Sequence, residues 1–164
     1  MAESYEVVLQ EVPVKGLFAL LKELEGISER VGDLVVSEGL EGSRCEGGFC
    51  ENLVNAFSSY EGSVCMAEKL FRFRVSKDDF LSSVLLRVVK YEGRVDVEMS
   101  FDSFIDLDVG FVMLAFQEIS NALSRRFHVK DCYGGLEPAV DVDTRYFTNG
   151  LLGPLSLRKN KLDS

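Results

Sequence analysis

The residues able to do chemistry are few, and their spacing is loose. Cysteines stand at positions 45, 50, 65 and 132. Zinc sites in ribbons and fingers use two matched close pairs, because four soft ligands must converge tetrahedrally. Here only Cys45 and Cys50 form a pair, spaced C-x4-C. A disulfide between them in their glycine-rich loop is an alternative. The reading adopted is ordinary thiols, with Cys65 and Cys132 buried. His128 is the single histidine. It follows a predicted helix end, where a cation is stabilised, and no neighbouring nucleophile is legible, so it reads as structural or exposed.

The carboxylates Asp102, Asp106, Asp108, Glu137, Asp141 and Asp143 include two D-x-D pairs. Their spacing fits no EF-hand loop, which needs ligands at loop positions 1, 3, 5 and 12 and a glycine at 6. Helix capping accounts for Asp106 or Asp108 without a metal. G-x-x-x-x-G-K, G-x-G-x-x-G and G-x-S-x-G are all absent. The expectation is therefore no catalytic residue, no metal and no cofactor, which weighs against an enzyme.

Charge is more informative. The net charge is −9 over 164 residues. Residues 1–68 carry 13 acids and 4 bases, whereas residues 69–164 carry 14 of each. The acidity thus belongs wholly to the first part of the chain, which repels phosphate and speaks against nucleic acid. It suits a basic protein partner. Glu38, Glu41, Glu46 and Glu51 cluster around the glycine-rich stretch 39–48 and are the predicted contact residues.

The elements that position these groups follow from periodicity. Residues 94–101 alternate strictly: Val95, Val97, Met99 and Phe101 against Arg94, Asp96, Glu98 and Ser100. Val84 to Tyr91 precede them, joined by a Glu92-Gly93 turn. A primed two-residue turn needs positive φ at both positions, which suits Gly93 better than Glu92, so a one-residue bulge is the alternative. The simple register places Val88 opposite Val97, Leu86 opposite Met99, Val84 opposite Phe101, Arg87 opposite Glu98 and Tyr91 opposite Arg94. Apolar groups meet on one face and opposite charges on the other, and a slip of one residue would break both sets.

Leu70 to Val75 alternates too, and Ser63 to Met66 extends it backwards. Ser76 to Asp79 makes the turn. Residues 64–101 are thus a three-stranded antiparallel meander. Phe71, Phe73 and Val75 are expected on its apolar face. Arg72, Arg74, Arg87, Tyr91 and Arg94 are expected together on the other face, where they would form either ion pairs or an anion-binding surface.

Around the meander, Tyr5 to Val12 reads as a strand. Pro13 opens a helix over 14–25 with Val14, Leu17, Phe18, Leu21 and Leu24 on one stripe, and Gly26 stops it. A short strand fits 33–37, a loop 39–48 and a short helix 52–57. Residues 109–127 form the longest helix, apolar nearly all round and so expected to be buried on more than one side. Residues 128–133 and 138–147 are further strand candidates, the first closed by Gly134-Gly135. Arg158 onward is expected to fray.

The fold class is therefore α+β: an antiparallel sheet centred on 64–101, with helices 14–25 and 109–127 on one face, in a single domain. Residues 1–4 lack a signal-peptide pattern and no apolar run reaches membrane-spanning length, so a cytoplasmic protein is expected. The leading functional reading is a non-enzymatic binding protein, concretely an acidic immunity-type inhibitor of a basic effector or toxin domain. Its alternatives are an anionic-ligand binder or enzyme using the arginine face, and a homodimer closed through the open sheet face.

Overall fold

A computed structural model describes residues 3–157 of the chain. The elements run β1 (Ser4–Gln10), α1 (Val14–Gly26), β2 (Ser28–Val36), a 3-10 turn (Glu38–Ser43) and α2 (Glu51–Ser59). There follow β3 (Val64–Arg74), β4 (Phe80–Tyr91), β5 (Arg94–Asp102) and α3 (Val109–Phe127). The chain continues through β6 (Asp131–Leu136), a second 3-10 turn (Val142–Thr144), β7 (Arg145–Thr148) and β8 (Leu151–Leu152). The expected frayed segment from Arg158 lies outside the described residues.

The strands form one antiparallel sheet of eight, in the order β2-β3-β4-β5-β1-β6-β7-β8. The meander is β3-β4-β5. Leu86 pairs with Met99, Arg87 with Glu98, Val88 with Val97 and Tyr91 with Arg94, as the two-face register predicts. The turn resolves in favour of two residues, because Glu92 accepts a φ of 49° beside Gly93 at 76°. The N-terminal strand is central, between β5 and β6.

All three helices contribute to one large core on a single face of the sheet. Leu17, Leu20, Leu21 and Leu24 of α1 and Leu53, Val54 and Phe57 of α2 meet the inward residues of the strands there. From α3, Phe116 stacks between Phe73 (centroids 5.2 Å) and Phe101 (5.5 Å). Asp108 caps α3, accepting from the Phe111 N–H at 3.1 Å. On the other face, Val8, Tyr133 and Ala139 make a small separate cluster; most of that face is open.

Five expectations need correction. Helix α3 is not buried on several sides: Phe111 is 43% and Leu114 51% exposed, because only the Val112-Met113-Phe116-Leu123 stripe meets the sheet. Phe71 does not join the core. Arg72 adopts a φ of 54°, which resets the alternation, so that Phe73 turns inward and Phe71 lies half-buried under the Arg30 guanidinium at 4.0 Å. The short strand at 33–37 is really the nine-residue β2, an edge strand whose half-exposed pattern hides its period. The loop predicted over 39–48 begins as a 3-10 turn around the buried Leu40. Gly134 and Gly135 do not close β6 but lie inside it. A Cβ at Gly134 would stand 2.6 Å from the Phe147 ring, so glycine there is a packing requirement rather than a stop.

Candidate partner-binding site

The candidate site is the segment that leaves the outer edge of β2. Ser37 turns the chain: its hydroxyl accepts the Cys65 N–H at 2.9 Å, and its own N–H donates to the Cys65 carbonyl at 2.9 Å. Leu40, 1% exposed, anchors the 3-10 turn. Arg44 then folds back along the strand. It donates to the Leu34 carbonyl at 2.8 Å and pairs with Glu41 at 3.4 Å. Cys45 and Cys50 are joined in a disulfide, correcting the reading of them as free thiols. Between them Gly47 and Gly48 take φ values of 84° and 100°, a conformation that favours glycine. Phe49 is fully buried and its N–H donates to Glu25 Oε2 at 3.1 Å. Helix α2 follows, seated by Leu53, Val54 and Phe57.

Leu40, Phe49 and Leu53 thus pin the segment from beneath, and Glu38, Glu41, Glu46 and Glu51 stand exposed along it. Of these, Glu41 alone has an ion pair among the described residues. A segment tethered in this way has little backbone freedom left to lose on binding a partner. An open cleft of about 430 Å³ lies between β2 and the loop, lined by Val31 to Leu34 on one side and Arg44 to Gly48 on the other.

Beneath the loop lie two carboxyls that sequence reasoning missed. Glu25 pairs with Lys22 at 2.7 Å. Glu68 is fully buried, and the Glu25 carboxyl is its one hydrogen-bonding neighbour among the described residues. Burial, and then the Glu25 carboxyl beside it, push its pKa up to about 9. A signal was present in the sequence: Glu68 falls in phase with Val64, Met66 and Leu70, the inward set of β3. A Cβ at Gly48 would lie 2.5 Å from Glu25 Oε2 and 2.9 Å from Glu68 Oε2, so only glycine lets the loop close over both.

The predicted arginine cluster is dispersed. Arg74 is paired in register with Phe80 and Arg94 with Tyr91, at opposite ends of β4, roughly 35 Å apart at the usual strand rise. Each arginine is also engaged locally. Arg72 pairs with Glu29 at 2.9 Å, Arg87 with Glu98 at 3.1 Å and Arg94 with Glu92 at 3.0 Å, while the Arg74 guanidinium lies 5.8 Å from the Phe80 ring centre. Tyr91 donates to Asp96 at 2.8 Å, and that hydrogen bond raises its pKa. Glu98 is also shifted upward, by burial, against the opposing pull of Arg87.

The other residues singled out from the sequence do not converge. Cys132 is buried, where burial pushes its thiol up, but Cys65 is exposed on the outer face of β3. His128 caps α3 in a left-handed conformation and is exposed. Among the described residues no three His, Cys, Asp or Glu side chains group as metal ligands, and no helix is long and apolar enough to cross a membrane.

An open antiparallel sheet backed by helices, with a pinned acidic segment at its edge, defines a small α+β binding protein. The comparison of sequences sharpens that class. Residues 3–150 match the family of the PABL017 Cdi1I immunity protein, and the chain belongs to that family. It is also similar, at 42% identity and a TM-score of 0.88, to a chain of the 1.75 Å crystal structure of the toxic C-terminal tip of CdiA from Pseudomonas aeruginosa in complex with immune protein. The match covers 94% of this chain and 99% of that one. No curated protein matches.

Proposed function

We propose that this chain neutralises the toxic C-terminal tip of a CdiA protein in the cytoplasm by binding it stoichiometrically, without chemistry of its own, through Glu38, Glu41, Glu46 and Glu51. The observation that carries this reading is the segment itself: four exposed acids on a frame held by the buried Leu40, Phe49 and Leu53. Membership of an immunity family supplies the class of partner. A negative surface meeting a basic one speeds the encounter, the quantity that matters when a toxin must be caught before it acts.

The test pairs this chain with the toxic C-terminal tip of a CdiA protein. Co-expression is expected to restore growth, and calorimetry to give one-to-one binding that weakens with salt. A variant with all four glutamates changed to glutamine is expected to associate at least tenfold more slowly while keeping its melting temperature. Unchanged binding and protection by that variant would overturn the assignment of the contact residues. Absence of binding by the native chain would overturn the function.

A further inference from the structure

We propose that the Cys45–Cys50 disulfide is a redox latch: intact, it holds Gly48 down over the Glu25 and Glu68 carboxyls, and once a dithiol reduces it the loop lifts, water reaches Glu68 and the acidic segment loses its fixed shape. The effect on the partner rests on the immunity reading above; the latch itself does not.

The disulfide ties the loop to a fixed point. Cys50 immediately precedes α2, which Leu53, Val54 and Phe57 seat in the core. Upstream, Arg44 is held by the Leu34 carbonyl and by Glu41. Between these anchors the loop is restrained by the disulfide, by the buried Phe49 ring and by the Phe49 N–H bond to Glu25 Oε2. Gly47 and Gly48 supply a hinge, since both take positive φ. Both cysteines are half-buried rather than enclosed, so a reductant reaches them. A dithiol of the kind that keeps cytosolic thiols reduced supplies the two electrons. One of its thiolates attacks a sulfur, the Cys45–Cys50 bond breaks and a mixed disulfide forms. Its second thiolate displaces that mixed disulfide. Cys45 and Cys50 end as thiols carrying the two protons of the reductant, which leaves as a disulfide.

What lies under the loop makes its opening measurable. The Gly48 backbone rests on both carboxyls, because a Cβ there would come within 2.9 Å of an oxygen of each. Glu68 is fully buried. Among the described residues, the charged groups acting on it are Glu25 and Lys22 of α1; Gly48 above it and Leu86, its register partner on β4, carry no charge. Under the closed loop Glu68 keeps its proton up to about pH 9, whereas in water it titrates near 4.5. Lifting the loop at neutral pH therefore releases a proton. Hydration and ionisation of Glu68 draw the reduced loop open, and reduction becomes more favourable as pH rises between those two values, by up to about tenfold per unit.

The experiment equilibrates the full chain with reduced and oxidised dithiothreitol at about pH 5, 6 and 7, traps the thiols by alkylation and counts the two forms by mass spectrometry. An ordinary disulfide gives an exchange constant nearly independent of pH in this range, because the thiols on both sides stay protonated. Here the constant is expected to rise about tenfold or more from the lowest pH to the highest in the native chain, and less than about threefold in Glu68→Gln. A flat native profile overturns the latch, and so does an equal rise in the variant, which would place the released proton on a thiol. Hydrogen exchange at Gly47, Gly48 and Phe49 reads the opening in the native chain itself. It is expected to be about tenfold faster after reduction, and unchanged exchange would overturn the proposal. For the partner, the reduced chain is expected to associate with the same CdiA tip about threefold more slowly than the oxidised chain. Equal rates would overturn the regulatory role, whereas a chain that binds the tip in neither form would refute the immunity reading and leave the latch standing.

Discussion

Glu68→Gln isolates the physics of the buried carboxyl. In the native chain this group holds its proton up to about pH 9, whereas in the unfolded chain it titrates near the ordinary 4.5. Below the lower value both states are protonated, and native Glu68 costs no more than glutamine. Above it the unfolded chain releases a proton that the native chain keeps, so stability falls with pH through the window from 4.5 to 9. The limiting slope is about 1.4 kcal/mol per pH unit. Three units above the lower value, at about pH 7.5, the ceiling is therefore about 4 kcal/mol. Loop relaxation and entry of water reduce this, and we expect the variant to exceed the native chain by roughly 2 kcal/mol there. The assay is urea denaturation of both proteins at pH 5, 7 and 9, read as the difference between them, which cancels the titrating groups that do not touch Glu68. That difference should be within about 0.5 kcal/mol at pH 5 and should widen at each step. A constant difference, or one that narrows with pH, would refute the assignment of a raised pKa to Glu68.

The loop and the core yield further expectations. Reducing the Cys45–Cys50 disulfide, or replacing both cysteines with serine, should cost about 2 kcal/mol, the closure entropy of so short a loop; urea midpoints with and without reductant measure it. Phe116→Ala removes the middle ring of the Phe73-Phe116-Phe101 stack and should cost about 3–5 kcal/mol in the same assay. Gly134→Ala forces a methyl against the Phe147 ring and Val7, and should lower stability by about 1–3 kcal/mol. Gly42→Ala, with open space at that position, should change stability by less than 1 kcal/mol and serves as its control.

The parts of the fold that were legible are those where near neighbours in sequence constrain one another. The β4-β5 register could be read because apolar and charged residues alternate on both strands, so two independent sets of pairs must agree. Helix α3 could be bounded because Asp108 and the Arg125-Arg126 pair mark its ends. The same local signals failed where a distant contact decides. Arg72 carries the right type for the outer face, yet its positive φ resets the alternation and moves Phe71 out of the core. Gly134 and Gly135 look like a stop, and only the rings and backbone packed on them explain why they continue a strand.

The sequence by itself determined the α+β class, the meander and its register, the two long helices and the confinement of net charge to residues 1–68. It also marked Glu38, Glu41, Glu46 and Glu51 as neighbours, because they lie within one short segment. Tertiary structure alone decided that β1 runs in the centre of the sheet, that the four arginines disperse into separate local contacts, and that Cys45 and Cys50 join. It alone brought Glu25 and Glu68 together under Gly48 and opened a cleft beside them. The physical reason is range: periodicity and capping act over a few residues, whereas the partner of a charge or ring is set by which surfaces the whole chain buries together.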